Sequence, residues 1–223
     1  MTGNPKSASY YDKHVAEISE QYLSVDFEDV HAPWLHLLPT LLNKSSLAIL
    51  DVGAGTGRDI SYLYSHAVSC LGDAKKFGKF IAAEPSENLR SIGREYTKQQ
   101  SISWIDDSLP ELKKTQNQKV SFDLILLSAV WMHIPFSERA CALKNLFSLL
   151  KHDGFIVMSL KHGMTEEEQH KRSMFAVSAS EVEEQCSQIG LTCEIIAQTS
   201  PDALNRKDVC WETLVLRKSE SGG

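Results

Sequence analysis

Apolar residues recur along this chain in two rhythms, and the switching between them predicts its architecture. Spaced apolar positions at Val15, Ile18, Tyr22 and Leu23 predict an amphipathic helix over Tyr10 to Leu23, and Trp34 to Leu42 reads as a second one. From Leu47 onward, short apolar runs alternate with helical patterns. They predict strand 47–52, helix 58–70, strand 79–84, helix 86–97, strands 102–105 and 120–127, helix 137–151 and strand 154–161. Ser137 is placed to cap the helix before Gly154, and Ser180 with Glu183 forms a Ser-x-x-Glu capping box for a helix that stops at Gly190. The last two strands, Leu191 to Gln198 and Cys210 to Arg217, have no helix between them and therefore read as an antiparallel pair at the sheet edge. The predicted class is α/β, a seven-stranded, mostly parallel sheet with helices on both faces. Residues 1–45 form a helical cap, 46–218 the domain proper and 219–223 a mobile tail.

The first strand runs Leu47-Ala-Ile-Leu-Asp51-Val and then enters Gly53-Ala54-Gly55-Thr56-Gly57-Arg58-Asp59. Glycine lacks a Cβ, so such a loop can turn sharply and let a ligand lie almost on the main chain. The dinucleotide fingerprint needs its third glycine three positions after the second; here Arg58 stands there and Gly57 comes one residue early, which weighs against NAD. Asp51 either steadies the loop amides or faces a cationic group. Arg58 and Asp59 open a helix whose free amides and dipole favour an anion.

The order strand, acid, Gly-x-Gly-x-Gly resembles motif I of the class I S-adenosylmethionine-dependent methyltransferases, and the resemblance extends over roughly residues 10 to 218. It implies a Rossmann-like fold and S-adenosyl-L-methionine as cofactor. Glu84, closing the second strand ahead of Pro85, matches the motif II acid that accepts hydrogen bonds from the ribose hydroxyls. The segment Trp104-Ile105-Asp106-Asp107-Ser108-Leu109-Pro110 looks like motif III, whose acid takes the adenine amino group. Asp107 is favoured over Asp106, though strand alternation does not separate them. Tyr11 is the kind of N-terminal aromatic that folds over the cofactor in many small relatives, or else it packs within its helix.

Phe122 to Leu127 delivers Ser128-Ala129-Val130-Trp131-Met132-His133 to the carboxyl end of the sheet, where ligands of such folds bind. Methyl transfer requires an acceptor held in line and, where it carries a proton, a base. His133 and His162 are the candidate bases, each with a purely structural alternative, and Trp131 is a candidate wall of the acceptor pocket. The segment does not carry the Asn/Asp-Pro-Pro-Tyr/Phe sequence of amino-methylating DNA enzymes, and no proline precedes a cysteine as a cytosine-C5 enzyme would need. Met164 to Ala179, rich in charge, is either a lid over the acceptor or a solvated connector. The spread of His162, Arg172, Arg206 and Trp211 suggests a polar pocket for an acceptor bearing an anionic group.

Composition narrows the partners. With 223 residues and 42% hydrophobic content the chain supports one sizeable core. A net charge of −6 argues against a nucleic-acid footprint, and the short basic runs at Lys75–Lys79, Lys113-Lys114 and Lys171-Arg172 read as solvated faces. Five cysteines without a CxxC pair look like reduced core thiols, no apolar run reaches the roughly 18 residues of a membrane span, and the start lacks a secretory signal. A cytoplasmic monomer or homodimer without metal is expected, acting on a small-molecule acceptor. A macromolecular acceptor and a non-catalytic cofactor-binding module are the alternatives.

Overall fold

The computed structural model describes residues 5–44, 46–72, 77–189 and 193–218. Its centre is a seven-stranded sheet of β1 (Leu47–Val52), β2 (Phe77–Ala83), β3 (Ile102–Ile105), β4 (Phe122–Leu127), β5 (Leu150–His162), β6 (Cys193–Pro201) and β7 (Cys210–Lys218), in the order β3-β2-β1-β4-β5-β7-β6. The first five strands run parallel, and β7 lies antiparallel between β5 and β6, as the sequence pattern predicts.

Central strands are buried on both faces, and alternation sorts their side chains. Leu47, Ile49, Leu124 and Leu126 face one core with α5 (Arg58–Leu71). Leu50, Val52, Ile125 and Leu127 face the other with α8 (Phe136–Leu149) and α10 (Ala179–Gln188). Ahead of the sheet come α1 (Pro5–Lys13), α2 (Val15–Leu23), α3 (Phe27–His31), a 3₁₀ turn (Ala32–Leu37) and α4 (Leu38–Leu42). Three further helices, α6 (Glu87–Tyr96), α7 (Lys113–Gln116) and α9 (Glu166–Arg172), and a 3₁₀ turn (Trp131–His133) lie between or after the strands.

The structure corrects several boundaries. The helix expected over Tyr10 to Leu23 breaks at His14 (φ −110°, ψ 22°), whose ring nitrogen Nδ1 lies 2.9 Å from Tyr10 O and competes for the carbonyl that its own N–H also reaches. Trp34 to Leu42 is part 3₁₀ and part α, because Pro33 and Pro39 each sit near an element's start and have no N–H for a continuous ladder. Pro135, not Ser137, precedes the first residue of α8. That helix ends at Leu149, and Gly154 lies inside β5, where a Cβ would come within 2.8 Å of Phe122 O, so this glycine serves a close strand approach rather than a helix stop. α10 is capped by Ser178, which accepts the Glu181 N–H at 3.2 Å; Ser180 is already inside the helix. β4 begins at Phe122, after Lys119 has turned to φ 52°. Of the cysteines, Cys70 and Cys141 are exposed and Cys186 is buried, so they are not uniformly core thiols. The expected stop at Gly190, the start of a strand at Leu191, the run through Lys75 and Lys76, and the tail 219–223 lie outside the described residues.

Candidate active site

At the carboxyl ends of β1, β2, β4 and β5 lie two adjoining cavities of about 130 and 120 Å³. They share a boundary made by Tyr11, Tyr22, Gly53, Gly55, Ser128 and Ala129.

The glycine loop is hung on β2. Gly53 and Ala54 both donate to Ala83 O, at 2.7 and 3.2 Å, and Gly55 donates to Glu84 Oε2 at 2.9 Å. Gly53 has φ +69°, and a Cβ there would stand 2.5 Å from Val130 Cγ2, so conformation and space both call for glycine. The second oxygen of Glu84 accepts the Ser86 N–H at 2.8 Å, and Ser86 caps α6 by accepting the Leu89 N–H at 3.2 Å. The carboxyl is 6% exposed, and burial pushes its pKa up to about 7 against the pull of the Ser86 and Gly55 amides and of Arg90. Two backbone donors leave lone pairs on Glu84 for further donors. Pro85, Leu89, Ser108, Leu109, Ile134 and His133 complete this smaller cavity.

Asp51 lines the larger cavity. It is buried, its Oδ2 has no hydrogen-bond partner, and burial followed by the neighbouring Asp59 raises its pKa well above the carboxylate range. Such an orphaned acceptor fits a cationic ligand group. Arg58 donates from Nε to Asp59 Oδ1 at 2.6 Å and from Nη1 to Tyr22 O at 3.1 Å, and Asp59 Oδ2 stands 3.0 Å from His31 Nε2. Burial alone would raise Asp59; His31 and Arg58 outweigh it and hold the carboxyl below its ordinary value. Thus Asp59 orients Arg58, which faces the cavity at the start of α5.

His133 is 9% exposed, and burial lowers its pKa to about 4, against hydrogen bonds to backbone at Ser173 and Arg172. At neutral pH the imidazole is therefore uncharged. Its Nε2 lies 3.1 Å from Tyr11 Oη, and its side chain lines the cavity with Glu84 rather than the one with Asp51. It meets the larger cavity through Tyr11, whose own pKa is raised by burial.

Five expectations are not met. Gly57, at φ +81°, lines neither cavity, and a Cβ there would stand 2.8 Å from the Trp104 ring, so this glycine serves packing. Trp131 is fully buried in the core, with the Arg139 guanidinium 6.0 Å from its ring, and lines neither cavity, because the 3₁₀ turn Trp131–His133 points it inward. His162 pairs with Glu212 at 3.1 Å outside both cavities. Asp107 accepts the Thr115 N–H and hydroxyl at 2.7 and 2.8 Å and the Ser108 N–H at 3.1 Å, so it builds the turn into α7. Asp106 points outward to Lys114 at 2.7 Å. Of motif III, Ser108 and Leu109 reach the cavity.

Sequence reasoning missed Tyr22, Ser159, Lys161 and Asp202, all of which line the larger cavity together with Arg172, Arg206 and Trp211. A signal was present in β5: Leu160 enters the core, so by alternation Ser159 and Lys161 face the opposite side, and His162 turns with Leu160. Ser159 Oγ accepts the Ala129 N–H at 2.8 Å and fixes the end of β4. Among the described residues no group of three or more His, Cys, Asp or Glu is arranged for a metal ion, and no helix is long and apolar enough to cross a membrane.

Residues 50–156 match a family model described as a methyltransferase domain. A methyltransferase of Alkaliphilus oremlandii is 27% identical over 170 residues, covering 75% of this chain and 68% of its own. Among solved structures, an S-adenosylmethionine-dependent methyltransferase of Leishmania major superposes with a TM-score of 0.67 at 15% identity, covering 96% of this chain and 82% of that one. The magnesium protoporphyrin IX methyltransferase of Synechocystis, with S-adenosylhomocysteine bound, does so with a TM-score of 0.62 at 12% identity, covering 94% and 97%. Residues 50–156 thus form a methyltransferase domain, and the fold is that of S-adenosylmethionine-dependent methyltransferases.

Proposed function

We propose that the protein is a class I S-adenosylmethionine-dependent methyltransferase that methylates a small molecule, with the cofactor lying across the boundary between the two cavities and the acceptor in the larger one. The observation that carries this reading is that the larger cavity is a recess walled by side chains from several elements. Tyr22 of α2, Arg172 of α9 and Trp211 of β7 wall it from separate elements. α1 is tied down over the sheet end as well, by Asp12 to Ser86 and Asn88 and by Arg172, whose guanidinium lies 5.5 Å from the Tyr10 ring. A recess of about 130 Å³ walled on several sides suits a small acceptor better than a folded macromolecule.

S-adenosylmethionine supplies an electrophilic methyl group on its sulfonium sulfur. The chain's residues bind and orient. Glu84, as carboxylate, accepts from the ribose hydroxyls; Asp51 takes the ammonium on its free oxygen; Arg58 and the first amides of α5 take the carboxylate. Gly53, Ala54 and Gly55 leave room for close approach. Ser108, Leu109, Pro85 and Leu89 flank the base. Tyr11 and Ser128, at the boundary, exclude water from the reacting atoms, and the neutral His133 accepts a hydrogen bond from Tyr11 and takes the acceptor's proton through it.

Radiolabelled S-adenosylmethionine incubated with the protein and a cell extract, separated by size, tests the reading. Label is expected in the low-molecular-mass fraction. Label confined to protein or RNA would replace it with a macromolecular acceptor.

A further inference from the structure

Three cations from distant parts of the chain converge on the larger cavity: Lys161 at the end of β5, Arg172 at the end of α9, and Arg206 in the connection from β6 to β7. Lys161 is 2% exposed, and removing an ammonium from water costs several kcal/mol unless it is paired. Its partner is Glu168, which Arg172 Nη1 also approaches at 3.9 Å, so one carboxylate serves two cations. Arg206 is clamped by Asp202, which accepts from its backbone N–H, Nε and Nη2 at 2.9, 2.9 and 2.6 Å and from Trp211 Nε1 at 2.8 Å.

At this end of the cavity three cations therefore face two carboxylates, Glu168 and Asp202. The surplus is felt locally. Burial lowers the Lys161 ammonium pKa, the hydrogen bond to Glu168 pulls it up, and Arg206 and then Arg172 push it down. Asp51 and Asp59 lie at the opposite end, by the glycine loop, where Asp59 is already taken by His31 and Arg58, and Asp29 on α3 is exposed. Nothing in the cofactor-binding reading uses these three cations.

We propose that the methyl acceptor carries an oxyanion, a carboxylate or phosphate, held by Lys161, Arg172 and Arg206. This deepens the small-molecule reading and rests on it. Arg172 offers a forked donor matched to such oxygens, Arg206 adds the guanidinium edge that Asp202 leaves free, and the ammonium adds a point charge at the inner wall. The anion completes the neutralisation that Glu168 and Asp202 begin.

The test uses full-length protein saturated with S-adenosylhomocysteine, so that Arg58 and the α5 amides are engaged. The Trp211 indole N–H resonance, assigned by its loss in Trp211→Phe, is followed while sodium phosphate or sodium acetate is added against sodium chloride at matched ionic strength. A saturable shift with phosphate or acetate and none with chloride is expected, with at least tenfold weaker binding in both Arg172→Gln and Arg206→Gln at unchanged S-adenosylhomocysteine affinity. Preference between the two anions assigns phosphoryl or carboxylate. No saturable shift, an equal one with chloride, or undiminished binding in both variants overturns the proposal. Failure of S-adenosylhomocysteine itself to bind overturns the assignment of the cofactor residues instead; the same phosphate titration on free protein then decides the anion site alone.

Discussion

The two cavities are made of different material. The polar part of the smaller one is organised by main chain: amides of Gly55 and Ser86 converge on one buried acid, Glu84, and the glycine loop hangs from the Ala83 carbonyl. At its far end the larger one is built from long charged side chains, Lys161, Arg172 and Arg206, each steered by a carboxylate. A ligand held by main chain demands glycines and a strand-end acid, whereas one held by side chains demands only that distant elements pack in the right place. The first design is local and the second depends on the whole fold.

That difference can be broken most severely at Arg139. It is 1% exposed, donates to Ile134 O at 2.9 Å and Ala176 O at 3.0 Å, and pairs with Glu181, so it bolts the segment after α9 to α8 and α10. Arg139→Ala strands Glu181 and the two carbonyls and should cost about 3–5 kcal/mol of stability, read by urea unfolding. A loss under about 1 kcal/mol would show that the larger cavity's wall does not depend on this bolt.

Glu84→Ala should act on affinity, weakening S-adenosylhomocysteine binding by about 1.5–3 kcal/mol in calorimetry, the range for a lost charge-assisted acceptor. Unchanged affinity would remove Glu84 from the site.

The same carboxyl predicts a pH dependence. With a pKa of about 7 in the ligand-free fold, it must lose a proton to accept both ribose hydroxyls, so S-adenosylhomocysteine affinity should fall about tenfold between pH 8 and pH 6. Asp51, also raised, adds in the same direction. Stability runs the other way: because the folded value lies above the unfolded one, the Glu84 contribution is complete below about pH 4.5 and is lost as pH rises through about 7. Glu84→Gln should flatten the affinity profile, and a profile just as steep would assign the proton elsewhere.

How much of this was legible in sequence follows from the same contrast. The alternation of strands and helices along the chain, the antiparallel β6–β7 pair, and the places of the glycine loop and Glu84 at strand ends could be read because each leaves a signature within a few residues. Motif III was misleading, since adjacent acids at a strand end are chosen between by the turn that follows, and Thr115, eight residues on, claims Asp107. Trp131 was misplaced because a single 3₁₀ turn decides which of Val130 and Trp131 faces the cavity. Lys161 is paired across seven residues with Glu168 and buried by elements up to fifty residues away. No local pattern announces that, although the alternation along Ser159, Leu160 and Lys161 does give the direction.

The alternation yields the mildest prediction and the sharpest check on where the larger cavity ends. His162 follows Lys161 in β5 and turns to the opposite face, where it meets Glu212 with 31% and 21% of the two side chains exposed. A pair that wet contributes little, so His162→Ala should cost less than about 1 kcal/mol of stability and leave both S-adenosylhomocysteine and phosphate binding unchanged. Were phosphate affinity to fall tenfold while S-adenosylhomocysteine affinity held, the strand would have to present His162 inward and Lys161 outward. That one-residue reversal would also turn Leu160 out of the core and into the cavity, and the buried core contact of Leu160 already argues against it.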